Sequence, residues 1–384
     1  MNKLDELVKL MVDSCEEIIW KKKITVYGYQ FDYQTIIRPS LSKYWFGEQK
    51  IEQWICPKDS ESNHCNRPGT KKESMEYITI HDTASSKDSA DEYAHARYVI
   101  NGGGGTSWHY SVGSFSSCHQ IPDDEVAYHA GDSLDVRFIL TNTGIKGTNL
   151  NPLVEIKEGY YYINGQKSSI QAPVVSYEWN KNGDLVYASD GVKQQKKVPQ
   201  SMKEGVASFQ LKTQDINDAG IRIDLKEDGF YYIGPTYYNA TYGKIANRGG
   251  NLNSIGIETM VNQGSNLMRT WHRCAKLVAN LLVSHHLDVT RVKPHHFFSG
   301  KNCPQTLREN GLWKYFMDCV NVEYLILKKF SDIKIELVCQ NEYIAKDGVF
   351  NQDIDINEEN IEYQIKLTYK DEIRVIDCSS RIER

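Results

Sequence analysis

The chain has 384 residues, 40% of them hydrophobic and 25% charged, with a formal net charge of -5 at pH 7. That length exceeds a typical domain and permits a large core shared by two or three cooperating units. The acidic balance, without any long basic run, excludes a protein that holds nucleic acid mainly by counterion release and suits a polysaccharide, peptide or small-molecule partner.

Residues 1 to about 72 open on an amphipathic pattern (Leu4, Leu7, Leu10, Met11, Ile18, Ile19) that predicts a short helix, followed by an aromatic-rich extension without a site. His64 beside Cys65 is read as structural or exposed. Met1 to Leu7 lacks a basic region followed by an apolar run, and no segment is long enough to span a bilayer, so the expectation is synthesis in the cytoplasm with no leader seen.

From Tyr77 the pattern becomes strand, helix, strand. Tyr77–His81 is apolar and ends in a histidine, and a helix follows from Asp91 to Ile100, with Ser86, Asp88 and Ser89 as candidate caps. Asn101 and the glycines 102–105 stop it. Those glycines end a helix rather than open one and no GK[ST] follows, so they are not a phosphate loop. Ser107–Val112 is the next strand, and Ala127–Asp132 is a tight motif around His129.

The interval from about 141 to 250 is rich in Tyr, Asn, Gly and Lys, and carries strand-like pieces at 159–165 and 229–234. It reads as an inserted β-rich lobe or as long ordered loops. Ser254–Thr259 is a strand, and a strong helix runs from about Leu267 to His286 with Leu267, Trp271, Cys274, Val278 and Leu282 at helical spacing. His272, His285 and His286 are read as packing or surface groups. Pro304 opens another helix through Leu307, Leu312, Trp313, Phe316 and Met317. Beyond about Val322 alternating segments at 333–338, 363–368 and 373–376 predict a small β-sandwich of immunoglobulin-like type.

The nine cysteines (15, 56, 65, 118, 274, 303, 319, 339 and 378) are scattered and form no CxxC pair. They read as mostly reduced and buried, with a Cys56–Cys65 disulfide as the lesser alternative. Cys303 is the exception. It closes the stretch 293–304, which also holds His295, His296 and Lys301, and with His81 it offers two imidazoles and a thiolate to one metal ion. That donor set selects Zn2+, and three protein ligands leave the fourth tetrahedral position for water, as in a catalytic site.

Five ordered blocks give the chain a family resemblance: Ile78–Ala84, Thr106–Val112, Ala127–Asp132, Ser254–Glu258 and His295–Pro304. In these it resembles the zinc-dependent N-acetylmuramoyl-L-alanine amidases, the family that includes phage-type amidase lysozymes and the peptidoglycan recognition proteins. The resemblance runs from about residue 75 to 318, interrupted by 141–250. It implies an α/β fold, a mixed β-sheet flanked by helices with zinc in a groove on one side. The expected organisation is an amino-terminal extension (1–72), the amidase domain (73–320) and a carboxy-terminal module (321–384).

The same resemblance implies His81, His295 and Cys303 as zinc ligands, His295 being preferred to His296 because the phage-type ligand precedes the cysteine by eight residues. Lys301 matches the catalytic Lys or Thr position. Trp108 stands where the family often has a tyrosine or glutamate. Tryptophan cannot act as a general base, so Trp108 is expected as a groove wall and Glu258 as the candidate for proton transfer. His109 and His129 are expected near the groove, as orienters of the ligands or as substrate contacts.

The implied activity is hydrolysis of the amide between N-acetylmuramic acid and L-alanine in peptidoglycan, at the cell wall or outside the cell. The alternatives are a peptidoglycan-binding protein of the same fold without hydrolysis, which would be expected to lack the cysteine, another zinc amide hydrolase, and a structural zinc with His296 or Asp82 as fourth ligand. The sequence says nothing of the oligomeric state.

Overall fold

The computed structural model describes all residues except 1, 17, 21, 28–31, 63–65, 132–133, 138–140, 151, 159, 172–176, 180–184, 188–221, 235–240, 245–249, 300, 352–357 and 384. The chain divides into two compact units, one of residues 1–133, 247–298 and 303–384, the other of residues 134–246 and 299–302. His64, Cys65 and Asp132 lie outside the described residues. Cys56 is buried, and the Cys56–Cys65 alternative falls outside the described residues with Cys65.

The first unit is organised by a six-stranded mixed sheet, in the order Val292–Pro294, Tyr77–Asp82, Ser254–Thr259, Tyr110–Val112, Ser117–His119 and Ile51–Gln53. The first four strands run parallel to one another, Tyr110–Val112 and Ser117–His119 pair antiparallel, and the edge strand is again parallel. Alternation along the strands sends successive side chains to opposite faces. Ile78, Ile80, Ile255 and Ile257 are fully buried in one cluster with Trp271, Cys274, Val278 and Leu282 of the helix Leu267–Ser284 and with Phe316 and Val320 of the helix Trp313–Phe330. The intervening residues Thr79, His81, Ser254, Gly256 and Glu258 therefore take the other face.

The elements follow the sequence reading with local differences. Asp91 itself caps the helix Glu92–Ile100, its Oδ1 accepting the Ala94 N–H at 2.7 Å, so none of Ser86, Asp88 or Ser89 does. The helix after Pro304 is two helices, Gln305–Glu309 and Trp313–Phe330, separated where Gly311 adopts φ +67°. A left-handed residue ends a helix, and glycine takes that conformation without steric cost. The second helix runs past Val322 because Tyr324, Ile326 and Phe330 keep helical spacing and are buried.

The carboxy-terminal strands Lys334–Val338, Glu358–Tyr369 and Glu372–Glu383 form a four-stranded sheet whose fourth member is Ile18–Trp20, from the start of the chain. Ile361, Tyr363, Ile365 and Leu367 are buried with Leu4, Leu7 and Met11 of the helix Lys3–Ser14 and with Phe330. Where alternation predicted a second sheet, the covering layer among the described residues is helical, because the amphipathic start of the chain supplies the apolar stripe this sheet face needs.

In the second unit, Val154–Lys157, Tyr160–Ile163 and Gln166–Gln171 form an antiparallel sheet, and Thr141–Lys146, Phe230–Gly234 and Arg222–Leu225 form another. Ile145, Ile163 and Tyr231 make its buried core. The strand-like pieces at 159–165 and 229–234 thus contain the strands Tyr160–Ile163 and Phe230–Gly234.

Candidate metal centre

On the polar face of the central sheet, His81, His295 and Cys303 come together with one ligand atom each, all within 4.8 Å of one another and all three residues buried. Backbone pairing explains the convergence. His81 sits near the end of Tyr77–Asp82, and the His295 N–H donates to the Ile80 carbonyl at 3.1 Å, so the neighbouring strand delivers His295 beside it. The loop between the other two closes on itself, the His296 N–H donating to the Cys303 carbonyl at 3.0 Å. Asp82 secures the far side by accepting the Thr306 N–H on Oδ2 at 2.7 Å, which fixes the short helix that follows Cys303. His296 and Asp82 are outside the group, and no other set of three such ligands is found among the described residues.

The His81 ring is held from both edges. Its Nδ1 lies 3.7 Å from Cys303 Sγ and 3.7 Å from Glu258 Oε1, and its Nε2 lies 3.0 Å from His129 Nδ1. Burial and the nearby Lys72 charge hold His129 down to about 3, so it is a neutral imidazole at physiological pH. In the tautomer pair in which His81 Nε2 donates to His129 Nδ1, His81 Nδ1 keeps its lone pair for the group. Gly256 makes this approach possible: a Cβ there would lie 2.6 Å from the His129 ring. Asn251 holds the loop, its Oδ1 accepting the backbone N–H of His129 at 2.7 Å and of Ala130 at 2.8 Å.

His109 is wholly buried. Its Nδ1 accepts the Gly256 N–H at 2.9 Å, and its Nε2 faces the Glu125 carbonyl at 3.0 Å and Lys72 Nζ at 2.7 Å. With both nitrogens engaged in the interior it is no substrate contact; its ring meets His129 edge-on, at 5.8 Å between centroids, and supports it. Burial depresses the Lys72 ammonium to about 7. Trp108, expected as a groove wall, is 6% exposed and packs with Cys56 and Val99, its Nε1 donating to Ser111 Oγ at 2.8 Å. It is core, because the helix Glu92–Ile100 covers that part of the sheet and offers it an apolar seat.

Glu258 is half-buried on Ser254–Thr259, directly opposite His81 in the parallel register. Lys301 is exposed and belongs to the second unit. Sequence reasoning did not reach Asn251, Gly256 or Lys72, although Gly256 inside a strand is a signal of close approach. A buried trio of two imidazoles and a thiol is a donor set suited to a soft-to-borderline divalent metal, and its three ligands leave a coordination position for a non-protein group.

A model of the N-acetylmuramoyl-L-alanine amidase family matches residues 71–306. Over 67 residues the chain is 43% identical to N-acetylmuramoyl-L-alanine amidase XlyA of Bacillus subtilis (strain 168), a stretch covering 17% of this chain and 22% of that protein. Over 67 residues it is 40% identical to N-acetylmuramoyl-L-alanine amidase CwlH of the same organism, covering 17% and 26%. The chain thus spans about a quarter of the length of the curated relatives it matches. Among solved structures, the catalytic domain of XlyA aligns at 20% identity and a TM-score of 0.37, covering 71% of this chain and 99% of that one, a likeness too low to argue from.

Proposed function

The chain belongs to the N-acetylmuramoyl-L-alanine amidase family, and from that premise we propose that it hydrolyses the amide between N-acetylmuramic acid and L-alanine in peptidoglycan, at the cell wall, with Zn2+ held by His81, His295 and Cys303. The observation that carries the reading is the buried convergence of those three side chains within 4.8 Å. Two imidazoles and a thiolate match zinc's preference for nitrogen and sulfur, and a three-ligand site is the catalytic form.

When bound, the ion supplies Lewis acidity toward the scissile carbonyl and acidifies water to a pKa near ~7. The chain's own residues do the rest. His129 holds the His81 ring through Nε2, and in the tautomer in which that Nε2 donates, His81 Nδ1 is free of a proton for the shared position. Glu258 Oε1, 3.7 Å from His81 Nδ1, is the carboxylate next to that position, and we assign it the proton of the attacking water and its delivery to the departing alanine nitrogen. Lys301, two residues before Cys303, is assigned the negative charge that develops on the carbonyl oxygen, a role supported by its place in the family motif and by the value of a preorganised cation there. Trp108, buried against the helix, has no part in this scheme.

The test is incubation of purified protein with purified peptidoglycan, with and without a chelator, followed by mass spectrometry. The reading expects stem peptides with a free L-alanine amine, lost on chelation. Reducing sugar released without that amine would instead identify a glycosidase.

A further inference from the structure

The two ends of the chain meet in the terminal sheet, and two cysteines meet with them. Ile18, Ile19 and Trp20 pair in parallel with Arg381, Ile382 and Glu383, and Cys15 and Cys378 each lie three residues before the first of these pairs. The Ser380 hydroxyl donates to the Glu16 carbonyl at 2.5 Å, so the backbones remain adjacent at that point. Both cysteines pack against the same buried cluster, which contains Tyr363, and Tyr363 pairs with Cys378 across the sheet. Both cysteines are half-buried free thiols, whereas Cys56, Cys118, Cys274 and Cys319 are buried.

We infer that Cys15 and Cys378 are a redox-active pair that closes into a disulfide joining the first and last segments of the chain when the protein meets an oxidising small-molecule disulfide. The chemistry favours Cys15 as the attacking group. Hydrogen bonds from Cys378 and Tyr363 outweigh burial and lower its thiol to about 7, while the same contact and burial push Cys378 up. Cys274, wholly enclosed, is driven up by burial alone and does not compete.

The Cys15 thiolate attacks one sulfur of the small disulfide, forming a mixed disulfide and expelling one small thiolate. The Cys378 thiol then loses its proton to solvent and attacks Cys15 Sγ, expelling the second small thiolate. Two protein thiols are oxidised, the small disulfide is reduced to two thiols, and the two protons released are taken up by the leaving thiolates. The cross-link spans nearly the whole chain, so it restricts the unfolded ensemble more than a short loop would. The inference is independent of the amidase reading, since it concerns neither the metal ligands nor the sheet that carries them.

The experiment treats the native protein with oxidised glutathione, quenches with an alkylating agent and digests without reduction. The expected result is a peptide pair linked through residues 15 and 378, two fewer alkylatable thiols, and a melting temperature raised by several degrees that returns on reduction. In Cys378→Ser the link and the oxidant-dependent shift are both absent. Cys15 and Cys378 both remaining alkylatable, either one linking to a different cysteine, or the same thermal shift in Cys378→Ser overturns the inference.

Discussion

The two faces of the central sheet are built from the same two strands and have opposite chemistry. On one side Ile78, Ile80, Ile255 and Ile257 are fully buried against two long helices. On the other, Thr79, His81 and Glu258 share a polar layer with His129 and His109, in which Thr79 Oγ1 meets Ser254 Oγ at 2.7 Å and His81 meets His129 at 3.0 Å. The apolar face needs only volume and hydrophobicity, which many residues supply. The polar face needs each donor matched to an acceptor, so single atoms there carry function and the supporting shell is exacting.

Substitutions that separate the faces put this contrast at risk. The largest effect is expected from Cys303→Ala, which removes the thiolate from the group. Zinc content measured by elemental analysis should fall, and amide hydrolysis should drop by roughly 10³-fold, the several kcal/mol that a metal contributes to such a barrier. The melting temperature should move little. Ile257→Ala, one residue before Glu258 but on the helical face, should do the reverse: about 2–5 kcal/mol less stability by denaturant titration, with unchanged zinc per folded molecule. Activity lost without stability loss in Ile257→Ala would mean that the faces are not separable.

Next in size is Lys301→Ala, for which turnover should fall by about 10²-fold with zinc retained, the cost typical of losing one oxyanion donor. A loss of metal instead would show that Lys301 acts by shaping the loop before Cys303. His129→Ala should weaken zinc binding by about 10- to 100-fold, the usual cost of removing the group that orients a ligand histidine. Competition with a chromophoric chelator measures it, and an unchanged affinity would remove His129 from the support of His81.

The smallest effect belongs to the helical side. Glu323 is buried, its Oε1 accepting the Trp45 N–H at 2.7 Å, and burial raises its carboxyl to about 7. In the unfolded chain the carboxyl ionises near ~4.3. Stability from this group is therefore full below that pH and declines as pH rises to about 7, by roughly 1–3 kcal/mol, because the unfolded state releases its proton first. Glu323→Gln keeps the acceptor and should flatten that decline in denaturant titrations between pH 4 and 7.

The same contrast explains what could be read from the sequence. The apolar face was legible because period-2 alternation in Ile78–Ile80 and helical spacing in Leu267–Leu282 both report volume and hydrophobicity locally. His81, His295 and Cys303 were legible as residue types in recognisable blocks, although nothing local says that they converge. What surrounds them was not. Trp108 looks like a groove residue until the helix Glu92–Ile100 is seen to cover it, and His109 looks accessible until Gly256 and Lys72 occupy its two nitrogens. The helical cover on the terminal sheet was hidden for a related reason, since Leu4, Leu7 and Met11 meet Ile361 and Leu367 across most of the chain's length.

The most direct test is X-ray absorption at the zinc edge on the zinc-loaded protein. One sulfur at about 2.3 Å and two imidazole nitrogens at about 2.0–2.1 Å, with the sulfur scatterer absent in Cys303→Ala, is the result expected of two imidazoles and a thiolate sharing one ion. A spectrum without sulfur in the unaltered protein, or less than stoichiometric zinc under saturating conditions, would contradict the account.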